Sequence, residues 1–211
     1  EKKISKEGIY SYFRLRYLLG PTTIYENCYK LLPGSFIEYD CDNFSYKVEK
    51  YWKLKRNSSY ADLTEEDVIS RCDKLLANSI SLQTLTSDVP VHSFLSGGID
   101  SSLVTALVAK VSSNLTAYSI EVENPEQNEI EDAKHASEYL NVPIITDKID
   151  VKKFDEIHSE VIHVYDEPLA DTSCVPTYFL SKLTSKYVKV ALSGDGGDEL
   201  FYGYKWYNQN L

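Results

Sequence analysis

Hydrophobic and polar positions divide the chain into two textures. Up to about residue 60, Tyr is frequent and periodicity is weak, apart from one turn signal, Leu31-Leu32-Pro33-Gly34. The alternating run Ser35-Phe36-Ile37-Glu38-Tyr39 follows it and predicts a strand, with Tyr46 to Trp52 as its hairpin partner. Residues 53–62 are polar and read as a linker. From Thr64 the pattern becomes regular. Thr64 with Glu65, Glu66 and Asp67 marks a helix start, and Val68, Ile69, Cys72, Leu75, Leu76 and Ile80 recur at helical spacing. Strands are expected at Val89–Leu95, Thr116–Val122, Val142–Ile149 and Tyr187–Leu192. Helices are expected at Ser101–Lys110, Glu129–Leu140, Asp155–Tyr165 and Val175–Leu183. This β-α-β-α-β-α-α-β order predicts an α/β domain, a parallel sheet with helices on both faces. Ligands of such sheets bind beyond the carboxyl ends of the strands.

Two of those ends carry unusual loops. The first is Ser96-Gly97-Gly98-Ile99-Asp100-Ser101-Ser102. Two glycines permit close backbone approach, a helix N-terminus supplies free N–H groups, and three serines add hydroxyl donors, which suits a phosphate or pyrophosphate. It is not a Walker A loop, because no Lys occupies it. A tight turn with a serine cap is the plainer alternative. The second loop is Ser193-Gly194-Asp195-Gly196-Gly197-Asp198-Glu199. If the loops are neighbours, Asp100, Asp195, Asp198 and Glu199 face a polyphosphate, and such repulsion calls for a divalent cation. A solvated turn is the alternative. In a third segment, Asp166 to Ser173, Pro168 ends a helix, and Asp171 with Ser173 is read as capping the next.

The charge adds a boundary condition. A net charge of −10 over 211 residues argues against broad nucleic-acid binding. No apolar run is long enough for a membrane span. Cys28, Cys41, Cys72 and Cys174 lie far apart and read as buried or idle thiols of a reducing compartment, so a cytoplasmic location is expected. His92, His135, His158 and His163 lack metal-ligand spacing. The chain contains no Met and starts at Glu1, which reads as an internal segment or a processed product.

At these segments the sequence resembles the synthetase domain of the glutamine-dependent asparagine synthetase family. SGGIDSS (Ser96–Ser102) is similar to the phosphate loop of the wider ATP-pyrophosphatase (PP-loop, Rossmann-like) superfamily. ALSGDGGDELFYGY (Ala191–Tyr204) and DEPLADTS (Asp166–Ser173) narrow the resemblance. TIYENCYKLLPGSFIEY (Thr23–Tyr39) is similar to the connector that leaves the family's glutaminase domain. The resemblance implies a connector and hairpin over 1–62 and a C-terminally truncated synthetase domain over 63–211. It implies that Leu95, Ile120, Ser193 and Gly194 contact adenosine. Ser96, Gly97, Gly98, Asp100, Ser101 and Ser102 would hold the pyrophosphate portion of ATP, and Asp100 and Asp198 would ligate Mg²⁺. Asp195 stands where the family usually has a Glu that assists ammonia attack, and Glu121 where a small residue is usual.

The implied reaction amidates a carboxylate, aspartate first, through an acyl-adenylate, with release of pyrophosphate and AMP. Ammonia would come from glutamine hydrolysed by an upstream glutaminase domain. A homodimer stays open as a partner state. Related amidotransferases acting on other acids, β-lactam-forming, peptide-cyclising or sugar-amidating, are alternatives, as is a non-catalytic nucleotide-binding module. A tRNA-thiolating enzyme would carry a basic face and paired cysteines; the net charge of −10 and the scattered cysteines count against it.

Overall fold

The Pro33-Gly34 turn delivers the chain into strand β1 (Ser35–Asp40), which pairs antiparallel with β2 (Ser45–Lys50) from Ser35↔Lys50 to Asp40↔Ser45. Gly34 has φ +71°, and a side chain there would strike the Trp52 carbonyl. Asp40 closes the hairpin by accepting N–H groups from Asp42 and Asn43, which holds its carboxyl below the usual range. The computed structural model describes residues 2–55, 60, 62–123 and 128–207. The linker expected at 53–62 therefore lies partly outside the described residues.

Contacts group the chain into two bodies, residues 1–63 with 159–172 and residues 64–158 with 173–211. The first holds the hairpin and an unexpected helix, α1 (Lys6–Leu15). The Ser5 hydroxyl accepts the Gly8 N–H at 3.0 Å and starts it; Arg16 in the left-handed region ends it. Residues 159–172 join this body through side-chain and backbone ties. Lys30 Nζ donates to the Leu18 carbonyl and to Glu167 Oε1, both at 2.6 Å, and the Ala170 N–H donates to the Arg16 carbonyl. The segment that carries the DEPLADTS motif is thus anchored to residues 16–30 within the same body.

The second body is the α/β domain. Thr64 caps α2 (Glu65–Leu85) with a reciprocal box, its hydroxyl accepting from the Asp67 N–H while the Asp67 carboxylate receives the Thr64 N–H. Then follow β3 (Val91–Phe94), α3 (Ile99–Val111), β4 (Ala117–Val122), α4 (Ile130–Leu140), β5 (Ile144–Ile149), α5 (Val151–Val164, whose residues from Ser159 on belong to the first body), α6 (Cys174–Thr184), β6 (Val190–Leu192) and α7 (Gly197–Phe201). The sheet is parallel, in the order β5-β4-β3-β6. The chain steps one way from β3 to β4 to β5, then returns to the other side of β3 as β6. Right-handed crossovers put α3 and α4 on one face and α6 on the other. The core lies against the first face, where Leu95, Leu107, Val108, Ala117, Ala133 and Val142 pack with Ile80 of α2. Beneath the α3 N-terminus, Thr105 Oγ1 donates to Ser93 Oγ at 3.0 Å, both residues fully buried, which ties α3 to β3.

Three details differ from the sequence reading. Strand β6 begins at Val190, because Lys186, Tyr187 and Val188 still donate N–H groups to the last carbonyls of α6, those of Leu183 and Thr184. Ser173 occupies the N-cap position of α6, but its side chain makes no cap bond. None of the four cysteines is fully buried; Cys28 and Cys41 are exposed.

Candidate functional site

Strands β3 and β6 are parallel neighbours, Val91 beside Val190 and Ser93 beside Leu192. Their carboxyl ends therefore lie together, and both glycine loops leave from that edge. Because the chain runs from β3 away to β4, while β6 arrives on the other side, the gap between β3 and β6 is the topological switch point of this sheet. Crevices at such points receive ligands in open α/β folds.

The first loop is braced from within. Ser101 Oγ lies 3.2 Å from the Ser96 N–H that it receives, 3.0 Å from Ser96 Oγ, and donates to the Gly98 carbonyl at 3.2 Å. Ser96 Oγ also accepts the Gly98 N–H. Gly98 caps α3 without a side-chain bond, so the first-turn N–H groups of α3 have no side-chain cap. Gly97 has φ +89°, and a Cβ there would run into the backbone of Asp132 and Ala133 in α4. The loop is thereby pressed against a second helix.

The second loop packs on the first through its glycines. A Cβ on Gly194 would come within 2.8 Å of the Ser101 nitrogen, and one on Gly197 within 2.6 Å of Asp100 Oδ2. Backbone of the loop after β6 thus rests directly on Asp100 and Ser101. Asp195 is exposed, and its Oδ2 accepts from the Ser193 hydroxyl at 2.9 Å. The Gly203 N–H donates to the Asp198 carbonyl, and a side chain at Gly203 would overlap the Asp198 carboxylate. The Tyr204 hydroxyl donates to Glu199 Oε1. That bond pushes the Tyr204 hydroxyl up to about 12 and holds the Glu199 carboxyl below its usual value.

Most of the expected site residues converge here. Ser96, Gly97, Gly98, Asp100, Ser101 and Ser102 form one loop and helix start, and Ser193, Gly194, Asp195 and Asp198 form its neighbour. Ile120 lies on β4 two residues beyond Tyr118, which pairs with Phe94 at the end of β3. Leu95 is different: the residue is 1% exposed, its side chain belongs to the core, and its N–H donates to the Tyr118 carbonyl. Glu121 pairs with Lys148 at 2.9 Å, its register partner on β5. That pairing accounts for a charged residue at this strand position. His92 accepts the Thr116 N–H at its Nδ1 and is spent on the core. Gly203 and Tyr204 are additions that spacing does not reveal.

Asp100 and Asp198 offer hard oxygen donors, the ligand type that Mg²⁺ takes together with phosphate oxygens and water. Asp100 lies against Gly197, the residue that precedes Asp198. Among the described residues no three His, Cys, Asp or Glu side chains form a metal cage, so a cation here would complete its shell with phosphate and water. The donor set fits Mg²⁺ on a nucleotide. No helix among the described residues is long and apolar enough to cross a membrane.

The family model described as asparagine synthase matches residues 71–211. Over 99% of its length the chain is 31% identical to the asparagine synthetase [glutamine-hydrolyzing] 1 of Bacillus subtilis (strain 168), covering 32% of that protein. It is 34% identical over 97% of its length to a putative asparagine synthetase [glutamine-hydrolyzing] 2 of Methanocaldococcus jannaschii, covering 39% of it. The chain thus spans about a third of the length of the curated relatives it matches. Among solved structures, a glutamine-dependent NAD+ synthetase from Acinetobacter baumannii in complex with ADP superposes with a TM-score of 0.48 at 21% identity, covering 80% of this chain and 31% of that one.

Proposed function

Because the chain belongs to the asparagine synthase family, we propose that its two glycine loops hold Mg-ATP for the amidation of a carboxylate, aspartate first. The observation that carries this reading is the seating of Gly194 and Gly197 on Asp100 and Ser101 at the switch point. It joins the phosphate loop and the acidic loop into one crevice.

The first-turn N–H groups of α3, together with the Ser102 hydroxyl, hold the β- and γ-phosphates as the substrate carboxylate attacks the α-phosphorus, while the Ser96 and Ser101 hydroxyls keep the loop in shape. Pyrophosphate leaves, and these fixed donors stabilise the charge it gains without reorganising. Asp100 and Asp198 hold Mg²⁺, which supplies charge neutralisation on the phosphates when bound. The Ser193 and Gly194 backbone and Ile120 border the adenosine. Ammonia then attacks the acyl-adenylate carbonyl and AMP leaves. The exposed Asp195 carboxylate, oriented by Ser193, accepts the proton that the attacking nitrogen sheds. An upstream glutaminase domain in the full-length protein supplies that ammonia.

Exchange of radiolabelled pyrophosphate into ATP by the full-length protein tests the reading, with aspartate at the head of a panel of carboxylic acids. Exchange dependent on aspartate is expected. Exchange with a different acid moves the substrate assignment, and no exchange with any acid overturns the ligase reading.

A further inference from the structure

Helix α7 has only five residues, and it carries Asp198. A helix this short does not hold itself together, because nucleation fixes several dihedrals for one hydrogen bond. Its contacts must supply the order. At its N-terminal end Gly197 rests on the Asp100 carboxylate. At its C-terminal end the chain reverses through Tyr202 in the left-handed region, with φ +59°, and Gly203 returns its N–H to the Asp198 carbonyl. This reversal lets Tyr204 reach back to Glu199, the residue next to Asp198. The Tyr204 ring is itself fixed: it stacks on Trp206 with centroids 4.1 Å apart and planes 12° apart, and meets Tyr207 edge-on at 5.7 Å.

We propose that Tyr204 is a positioning residue for the metal-bearing helix: its hydroxyl, clamped to Glu199, holds α7 and therefore sets where Asp198 presents its carboxylate. The inference rests on the Mg-ATP reading of this crevice. The residue touches neither substrate nor metal; it acts through Glu199. A phosphate-gripping role would need the hydroxyl free, and it is already given to a carboxylate.

Three variants of the full-length protein test this. Y204F keeps the ring and its stacking and removes only the donor. E199L removes the acceptor. E199Q keeps a carbonyl oxygen that accepts the same bond. Two readouts are taken: amide hydrogen exchange of residues 197–201 in nucleotide-free protein, and Mn²⁺ affinity, by electron paramagnetic resonance, in the presence of a non-hydrolysable ATP analogue. Y204F is expected to speed exchange across α7 and to weaken Mn²⁺ about tenfold, the effect of one charge-assisted hydrogen bond. In exchange, E199L should match it, E199Q should stay within about twofold of the parent, and Y204F/E199L together should cost no more than either alone. Unchanged exchange and Mn²⁺ affinity in Y204F, or additive effects in the double variant, overturn the proposal. If the parent binds no Mn²⁺ with the analogue, the Mg-ATP reading fails, and hydrogen exchange alone decides whether Tyr204 clamps the helix.

Discussion

The two loops at the β3–β6 edge share a Ser-Gly start, yet they are built on different plans. The loop after β3 is stabilised by its own serines, by the α4 backbone against Gly97, and by a helix of 13 residues pinned through Thr105 to the buried Ser93. The loop after β6 leads into a helix of five residues and depends on residues beyond it, Gly203 and Tyr204. The same contrast shows at their positive-φ glycines. Space around Gly97 is full, whereas a Cβ on Gly196 would meet nothing within 4 Å. Donors that would hold a phosphate, as proposed, gain most from being fixed. The acidic loop is the more adjustable partner, and its geometry is set by side chains that lie outside it.

Gly97→Ala makes the largest break in this comparison. It adds a Cβ against the α4 backbone as well as an unfavourable φ, and the expected loss is about 3 kcal/mol, read as a fall in Tm of roughly 10 °C. Gly197→Ala comes next. It strikes a side chain that can shift, so stability falls less, while displacement of Asp100 is expected to weaken Mg-ATP binding about tenfold by calorimetry. An unchanged affinity would separate Asp100 from the nucleotide. Gly196→Ala meets only the backbone cost of about 1 kcal/mol in thermal melting; a loss as large as that of Gly97→Ala would erase the distinction between a crowded and an open loop. The mildest pair is Ser101→Ala against Ser193→Ala. Ser101 engages three groups of its loop and Ser193 the residue two positions on, so about 1 kcal/mol is expected for the first and under about 0.5 kcal/mol for the second.

The difference between the loops also marks what the sequence could reveal. Every strand and long helix of the sheet body stands out, because Leu95, Leu107, Ala117 and Ala133 must be apolar to fill one core. The loop after β3 is legible because its glycines and serines are local and contiguous. Helix α1 leaves no such trace, since Gly8 is its only buried residue, Tyr10 is exposed and Tyr12 only half-buried. Helix α7 is hidden by its glycines. The tie between Tyr204 and Glu199 depends on a left-handed residue at Tyr202, for which spacing gives no signal. The resemblance implies an adenosine contact for Leu95, and as the apolar residue ending a buried strand it lies in the core. Lys30 and Glu167 lie too far apart in sequence for any local pattern to pair them.

The return of β6 to the side of β3 has a consequence for synthesis. Val91 leaves the ribosome long before its partner Val190, by about ten seconds at ordinary elongation rates. Once β4 has emerged, β3 is paired on one side only, and its other edge stays open to the wrong neighbour until β6 arrives. The crevice has only one wall until the last strand docks. A ligand of the crevice could therefore reward the finished domain but not guide the nascent one, and protection of that bare edge falls to whatever attends the emerging chain.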